Sequence, residues 1–396
     1  MINVKILFYI KKGKQKMKKT LTKLILLLLV FAMALPLASC GVDEALNDTP
    51  TTENSPSNTT SPNTQNNTVT PPVDTDKIDL STDETINVVG TPDSSLEIKV
   101  YALNGTTALG MAKMINDSDR DSMNYNISLH AQADTVTAPI LTGECAIAAL
   151  PTNVAVRLYN KSEGKIKLLA LNTLGVLYLL QGEGQNVTSL DQLRGKTVYV
   201  PGAGANPEYI TKALLERAGL KVGTDVTVDA TSYPNPDALV AAVAAGQAQL
   251  AVLPEPKVTV ATTQNTAMTV ALDLTAEWEK VYGKNTLVQG CLVVNTAFAE
   301  AHPVEVAQFL KDYQASVNFI KEGNEDAINA IVNATILPKP AIAQKALPKC
   351  NICFIAGNDM KAAMGAFCNA IFAQDVASIG GKLPDDAFYY VCPAIK

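Results

Sequence analysis

The sequence is poor in the residues from which metal sites and catalytic triads are usually built. Its 396 residues include only two histidines, His130 and His302, and one tryptophan, Trp278, which we expect to pack locally. A zinc site made of several histidines is therefore not expected, and we predict no metal. His130 lies in a predicted strand and His302 precedes Pro303 at a predicted helix start, so neither is a good candidate for the base of a triad.

The motifs of common nucleotide-binding and hydrolytic enzymes are missing as well. The sequence has no GxxxxGK[ST] phosphate loop and no GxSxG nucleophile elbow. Gly202-Ala203-Gly204 matches the start of a dinucleotide fingerprint, but Pro207 stands at its third glycine position. We therefore predict that the protein is not an enzyme and has no cofactor.

Of the seven cysteines, six lie in the body of the chain and could form fifteen complete disulfide pairings, among which the sequence does not choose. Cys145 and Cys291 lie in apolar runs, which favours buried thiols. Cys350 and Cys353 have the spacing of a redox motif but open no clear helix, which argues against a redox role. The six are Cys145, Cys291, Cys350, Cys353, Cys368 and Cys392.

The amino-terminal segment is typical of a secretory signal. From Met17, which is a possible true start, lysines are followed by an apolar run from Leu24 to Leu35 and then by Leu37-Ala38-Ser39-Cys40. The run is shorter than the ~20 residues of a membrane span, so a cleaved signal peptide over residues 1–39 is the better interpretation. Cys40 is the predicted lipidation site, which would anchor the protein at the extracytoplasmic face of the cell membrane.

The net charge of the mature chain argues against two classes of partner. Eight lysines and no acidic residue precede Cys40, so the mature chain keeps 24 basic and 38 acidic residues, a net charge of −14. This balance argues against nucleic acid and against an electrostatic membrane surface. Residues 40–90 are rich in Thr, Asn, Ser and Pro, which predicts a disordered tether behind the anchor.

Beyond the tether, short apolar runs alternate with helix-period segments, which indicates an α/β fold. The stretch Lys196–Leu220 is a strand, a small-residue turn and a helix in that order. Free amide groups at the start of such a helix lie at the carboxyl edge of a sheet, where open α/β sheets bind ligands. Two long apolar runs, Ile166–Leu180 and Thr286–Asn295, are predicted to cross between two lobes.

Five segments, taken in order, carry a resemblance to a known family. They are AALPTNV (Ala148–Val154), SLDQLRG (Ser189–Gly195), the Lys196–Leu220 unit, DALVAAVAAGQAQLAVL (Asp237–Leu253) and LDLTAEWEKVYG (Leu272–Gly283). The chain from about Leu96 to Tyr390 resembles a substrate-binding lipoprotein of an ABC transporter. The most similar group is the one associated with sulfonates, nitrate and thiamine pyrimidine precursors.

The resemblance implies a type II periplasmic-binding-protein fold. Two α/β lobes, each a mostly parallel sheet flanked by helices, would be joined by a two-strand hinge, with residues 91–180 and 286–396 in lobe 1 and residues 181–285 in lobe 2. The protein, expected to be a monomer, would close on a small molecule and deliver it to an ABC permease with its ATPase. A sensory or structural lipoprotein on the same fold, signalling to a membrane partner, is an alternative that the sequence leaves open.

Ligand-binding residues are expected at helix starts facing the cleft and in the crossing strand. Each group has another interpretation: threonine and asparagine at helix starts could only cap, the polar pair in the crossing strand could belong to the hinge, and the acid between two prolines could be a solvated turn residue. The candidates are Thr106, Thr107, Thr152, Asn153, Asn172, Thr173, Gly204, Ala205, Asn206 and Glu255.

One departure from the family pattern concerns the ligand. The turn Gly202-Ala203-Gly204-Ala205 lacks the hydroxyl groups that members of this group often carry there. We expect none of the four arginines in a cleft turn, so no bidentate clamp for a sulfonate is predicted. Backbone amides could still hold an oxyanion, and a neutral or aminated heterocycle is equally open. The arginines are Arg120, Arg157, Arg194 and Arg217.

Overall fold

The computed structural model describes residues 86–117 and 123–392. The predicted signal peptide, the lipidation site at Cys40 and the tether up to residue 85 lie outside these residues. Ile86 is already buried against the core of the first lobe, so packed structure begins before the predicted end of the tether at residue 90. Within the described ranges, none of the helices combines the length and apolar character needed to span a bilayer.

Strands and helices alternate along most of the chain. The strands are β1 (Glu97–Leu103), β2 (Asn124–His130), β3 (Ile147–Pro151), β4 (Ile166–Leu174), β5 (Leu177–Gln181), β6 (Thr197–Tyr199), β7 (Thr227–Asp229), β8 (Leu250–Pro254), β9 (Thr269–Asp273), β10 (Val288–Asn295) and β11 (Ile352–Ile355). The helices are α1 (Thr106–Leu109), α2 (Ala112–Asn116), α3 (Asp134–Thr142), α4 (Thr152–Ser162), α5 (Asn206–Arg217), α6 (Pro236–Ala244), α7 (Lys257–Gln264), α8 (Leu274–Tyr282), α9 (Thr296–Ala301), α10 (Pro303–Lys321), α11 (Glu325–Asn333), α12 (Pro340–Ala346) and α13 (Gly357–Gln374).

The strands form two sheets, and each sheet with its helices makes one lobe. Lobe 1 contains a six-stranded sheet in the order β11-β4-β10-β3-β1-β2, and lobe 2 a five-stranded sheet in the order β7-β6-β8-β5-β9. Both sheets are mixed rather than mostly parallel. In lobe 1 the pairs β1–β2 and β1–β3 are parallel, whereas β10 runs antiparallel to both β3 and β4. In lobe 2, β5 runs antiparallel to β8 and β9. Helical crossovers produce the parallel pairs, but β5 and β10 enter their sheets from the hinge and so run the other way.

The hinge is two extended connections. The predicted crossing strand Ile166–Leu180 is in fact β4 and β5, one in each sheet, separated by Gly175 and Val176. A Cβ atom on Gly175 would lie 2.2 Å from Thr275 Oγ1, so the close approach of α8 requires glycine there. Val176 N donates to Gln289 Oε1 at 2.6 Å, which ties this connection to the returning strand β10.

The lobes share apolar packing next to the hinge. Trp278 on α8 is fully buried and donates from Nε1 to Thr286 Oγ1 at 3.0 Å, so it packs locally as expected. Its ring centroid lies 5.9 Å from that of Phe367 on α13 of lobe 1. The eight residues of β10 are all buried, as a central strand covered on both faces requires. The two lobes therefore share one hydrophobic core next to the hinge.

Candidate functional site

The predicted site residues gather where the carboxyl ends of strands from both lobes meet. In lobe 1, Thr106 and Thr107 follow β1, Thr152 and Asn153 follow β3, and Asn172 and Thr173 end β4. In lobe 2, Gly204 and Ala205 form the turn before α5, Asn206 begins that helix, and Glu255 follows β8. Six of these residues make hydrogen bonds from one lobe to the other.

Two asparagines join the starts of α4 and α5. Asn153 of lobe 1 donates from Nδ2 to Gly204 O of lobe 2 at 3.1 Å. Asn206 of lobe 2 donates from Nδ2 to Thr152 Oγ1 at 3.0 Å and to Gln289 O at 3.2 Å, both in lobe 1. Asn153, Asn206 and Thr152 are all buried. The structure therefore has the lobes closed along this side, with polar groups buried between them.

At the three helices that start at this interface the residue before the helix makes no side-chain cap among the described contacts, and the same holds for α2, α3, α7, α10, α12 and α13. Elsewhere, α6, α8, α9 and α11 each begin at an Asn or Asp whose side chain accepts from a backbone amide of the first turn. The residues preceding α1, α4 and α5 are Gly105, Pro151 and Ala205, and among the described contacts none of them makes a side-chain cap. Threonine and asparagine at these starts therefore do not cap, and capping alone does not explain them.

The polar pair in β4 is satisfied within lobe 1. Asn172 Nδ2 donates to Thr107 O at 3.1 Å, and Thr173 Oγ1 donates to Asn172 Oδ1 at 3.1 Å. Thr107 Oγ1 in turn donates to Leu103 O at 2.9 Å. A Cβ atom on Gly290 of β10 would stand only 2.4 Å from Asn172 Oδ1. Both side chains of the pair thus have partners within lobe 1, between β4, β10 and α1.

Glu255 is a buried acid rather than a solvated turn residue. Its carboxylate accepts from Thr259 N at 3.1 Å and from Thr259 Oγ1 at 3.0 Å, and Lys349 Nζ of lobe 1 lies 3.9 Å from Oε1. Burial raises the pKa of the Glu255 carboxyl, although Thr259 and Lys349 oppose that shift. Thr106 Oγ1 donates to Glu255 O at 2.9 Å, so this residue also joins the lobes.

An open groove lies beside Glu255, between α7 of lobe 2 and the end of α12 of lobe 1. Its volume is about 380 Å³, enough for a small molecule. Hydroxyl groups and lysine side chains line it from opposite lobes, so its width changes when the lobes move. The lining residues are Thr259, Thr262, Thr263, Thr266, Lys345 and Lys349.

The Gly204 turn already contains a carboxylate. Gly202 and Gly204 have φ of 74° and 75°, a conformation that favours glycine. Gly204 N donates to Glu208 Oε2 at 2.7 Å, while Glu208 Oε1 accepts from Lys212 Nζ at 2.5 Å. The amide that we expected to face a ligand is therefore paired with a side chain of its own helix.

Arg157 lies on α4 and not in a cleft turn, but it approaches the Gly204 turn from lobe 1. Its Nη1 lies 3.9 Å from the position that a Cβ atom on Gly204 would occupy. Arg157 is on α4, four residues after Asn153, so both side chains lie on the face of this helix that meets lobe 2. That spacing was visible in the sequence, but only the relative placement of the lobes brings Gly204 opposite it.

All six described cysteines are buried and form no disulfide with one another. Cys145 and Cys291 are buried as predicted. Burial raises the pKa of Cys353 to about 12, the reverse of what a reactive redox thiol needs. In the described part of the chain, no group of three or more His, Cys, Asp or Glu side chains could hold a metal ion.

Part of the chain matches a known protein family in sequence. Residues 166–327 match the family model described as "NMT1/THI5 like". This segment contains the hinge strands, all of lobe 2 and the first long helix after the return to lobe 1. No curated protein matches the sequence.

Solved structures cover much more of the chain. An ABC transporter protein from Parabacteroides distasonis superposes with a TM-score of 0.64 at 24% identity, over 76% of this chain and 99% of that one. The periplasmic aliphatic sulphonate binding protein SsuA from Escherichia coli gives a TM-score of 0.61 at 12% identity, over 76% and 94%. The alkanesulfonate-binding protein SsuA from Xanthomonas axonopodis pv. citri, bound to MOPS, gives 0.56 at 14% identity, over 72% and 94%.

At these identities the structural matches establish the fold, and the family-model match adds a resemblance in sequence over the hinge and lobe 2. One of these matched proteins is named as an ABC transporter and the other two as sulphonate-binding proteins. The chain therefore has the type II periplasmic-binding-protein fold and resembles the substrate-binding proteins of ABC transporters, in the group that includes the sulphonate-binding proteins.

Proposed function

We propose that the protein is a lipid-anchored, extracytoplasmic solute-binding protein that captures a small molecule between its lobes and delivers it to an ABC permease. The observation that carries this proposal is the interface between the lobes. Buried and half-buried polar groups at three helix starts and at the end of β8 hydrogen-bond from one lobe to the other there. Buried polar contacts contribute less to stability than apolar ones, which suits an interface that has to open and close.

We place the solute among the residues that meet across this interface. Thr106, Thr152, Asn153, Gly204, Asn206 and Glu255 would contact it. The other predicted residues, Thr107, Asn172, Thr173 and Ala205, would support the floor of the cleft and the turn before α5. Helix starts without side-chain caps leave amide donors for the solute.

The solute-binding step is tested by isothermal titration calorimetry on the folded region, beginning at Ile86. A solute that binds only the native protein must also raise its melting temperature. At a hundredfold excess over Kd, such a solute raises the free energy of unfolding by roughly 2.7 kcal/mol. We expect one solute per chain and a smaller radius of gyration on binding. Binding of two or more solutes per chain, or no change in radius, would contradict capture by lobe closure.

The lipid anchor on Cys40 is supported by the lipobox and by the −14 charge of the mature chain, which leaves little electrostatic attraction to anionic lipid. Metabolic labelling with a fatty acid tests it. We expect label on the full chain and none on Cys40→Ala, which should be released from membranes. Label that persists in the variant would exclude Cys40 as the site.

A further inference from the structure

The orientation of the two interface asparagines follows from their partners. Asn153 Nδ2 faces Gly204 O, and Asn206 Nδ2 faces Gln289 O. A backbone carbonyl only accepts hydrogen bonds, so the amide nitrogen of each side chain has to be the atom that points at it. The other atom of each amide, Oδ1, is therefore an acceptor.

Both acceptors are left without a donor. Asn153 and Asn206 are 0% and 3% exposed, and neither Oδ1 atom has a hydrogen-bond partner in the described part of the chain. A buried polar atom without a partner is costly, so a ligand or a water that donates to it is favoured. One acceptor belongs to lobe 1 and the other to lobe 2, and both lie at the contact between α4 and α5.

The charged groups around these two acceptors give no net positive charge. The amide of Gly204 is paired with the Glu208 carboxylate. Arg157 lies beside Tyr209, and the carboxylates of Asp375 and Glu208 are close to the same phenol. Burial and these two acids raise the pKa of Tyr209, whereas Arg157 lowers it. Arg157 and Lys212, which pairs with Glu208, thus balance the two carboxylates, and at the other end of the interface the buried Glu255 lies 3.9 Å from Lys349 Nζ.

We infer that the solute presents N–H or O–H donors to Asn153 Oδ1 and Asn206 Oδ1, as an amine, a carboxamide or an amino-substituted heterocycle does. An oxyanion such as a sulfonate or nitrate presents only acceptors, and would place oxygen against oxygen at these two atoms. The inference rests on the proposed function, because it specifies which class of solute the closed cleft takes.

Matched pairs of compounds that differ in one donor test this inference. The probes are nicotinamide against nicotinate, benzenesulfonamide against benzenesulfonate, propionamide against propionate and 4-aminopyrimidine against pyrimidine. Each is added to the region from Ile86 in a thermal-shift screen, and compounds that raise the melting temperature are titrated by calorimetry. We expect at least one donor-bearing member to bind at least tenfold more tightly than its partner.

Variants connect the preference to the two asparagines. Asn153→Leu removes the acceptor together with the bond to Gly204 O, so it should weaken every probe that binds the closed lobes, and the best donor-bearing probe by ~10-fold more than its partner, the effect of about one further hydrogen bond. Asn160→Leu is the matched control. Asn160 is also on α4, its Oδ1 is likewise buried and unpartnered among the described residues, and its Nδ2 donates to Ile379 O and Lys382 O within lobe 1. Its substitution should leave probe affinity within twofold while lowering thermal stability.

The outcomes separate the inference from the proposed function. Tighter binding of the oxyanion members would overturn the inference and leave solute capture standing. Equal binding within every pair, or Asn153→Leu and Asn160→Leu variants with the same affinity, would also overturn it. No melting shift with any probe would count against the proposed function, and the inference would fail with it.

Discussion

Replacing Gly204 by leucine separates the strain of its backbone from its role between the lobes. Gly204 has φ of 75°, and Gly195, in an exposed turn of the same lobe, also has φ of 75° with nothing within 4 Å of its Cβ position. Leucine in this conformation costs about 1–2 kcal/mol at either position. Gly195→Leu is therefore a control for strain, and any further effect of Gly204→Leu comes from the interface.

That further effect follows from the contacts at Gly204. Its Cβ position is 3.9 Å from Arg157 Nη1 and from the Tyr209 hydroxyl oxygen, so the rest of a leucine side chain has to displace them. Holding the lobes apart there breaks the bonds Asn153–Gly204 and Asn206–Thr152. At about 1 kcal/mol for each, closure loses about 2 kcal/mol, which lowers solute affinity ~30-fold.

Two measurements check this prediction. Small-angle scattering needs no ligand, and we expect a larger radius of gyration for Gly204→Leu than for Gly195→Leu. Calorimetry with a solute from the screen should show the ~30-fold loss only for Gly204→Leu, while both variants melt a few degrees lower, since 1 kcal/mol corresponds to about 2–4 °C in a domain of this size. Equal radii and equal affinities would refute the placement of this turn in the cleft.

Three further predictions concern buried groups. Because burial raises the pKa of Glu255 above its usual 4.5, ionisation costs stability as pH rises, so the stability of the wild type relative to Glu255→Gln should fall between pH 4.5 and pH 8. Denaturant melts from pH 4 to 8 would show this fall, and a wild type that gains on the variant as pH rises would contradict it. Gly290→Ala should lower the free energy of unfolding by ~1–3 kcal/mol, because the new Cβ would lie 2.4 Å from Asn172 Oδ1. Its control is Gly365→Ala on α13, where no described atom lies within 4 Å of the Cβ position, and this variant should gain up to ~1 kcal/mol. Equal melting temperatures of the two variants would exclude the clash. A thiol reagent at pH 8 should label the six buried cysteines only after denaturation, and rapid labelling of the native protein would show a thiol that is accessible.

Most of the secondary structure could be predicted because the hydrophobic periodicity and the positions of the prolines agree along this chain. Pro303 at the start of α10 and Pro236 at the start of α6 stand at the first helical position, where proline favours the helix. The observed helices Pro303–Lys321 and Pro236–Ala244 begin at these two prolines. Strand direction was harder, because an apolar run has the same pattern in a parallel and an antiparallel pair.

The predicted crossing strand also could not be divided between the two sheets from the sequence alone. Ile166–Leu180 is apolar almost throughout, and the sequence does not show where one sheet ends and the next begins. Gly175 marks the place, but its reason is the approach of Thr275, 100 positions further along the chain. The polar pair Asn172 and Thr173 likewise supports the floor of lobe 1 because β10 and α1 supply its neighbours.

By itself the sequence determined the α/β class, the two crossings between lobes, the helix starts at the cleft and the burial of Cys145 and Cys291. These depend on local periodicity and on composition, which neighbouring residues share. Only the tertiary structure decided which polar groups meet between the lobes. Asn206 and Thr152 are 54 positions apart, and their hydrogen bond exists because two sheets with separate folds are brought together. No local sequence pattern predicts how the two lobes are placed. That placement leaves the side-chain oxygens of Asn153 and Asn206 buried, with no donor among the described residues.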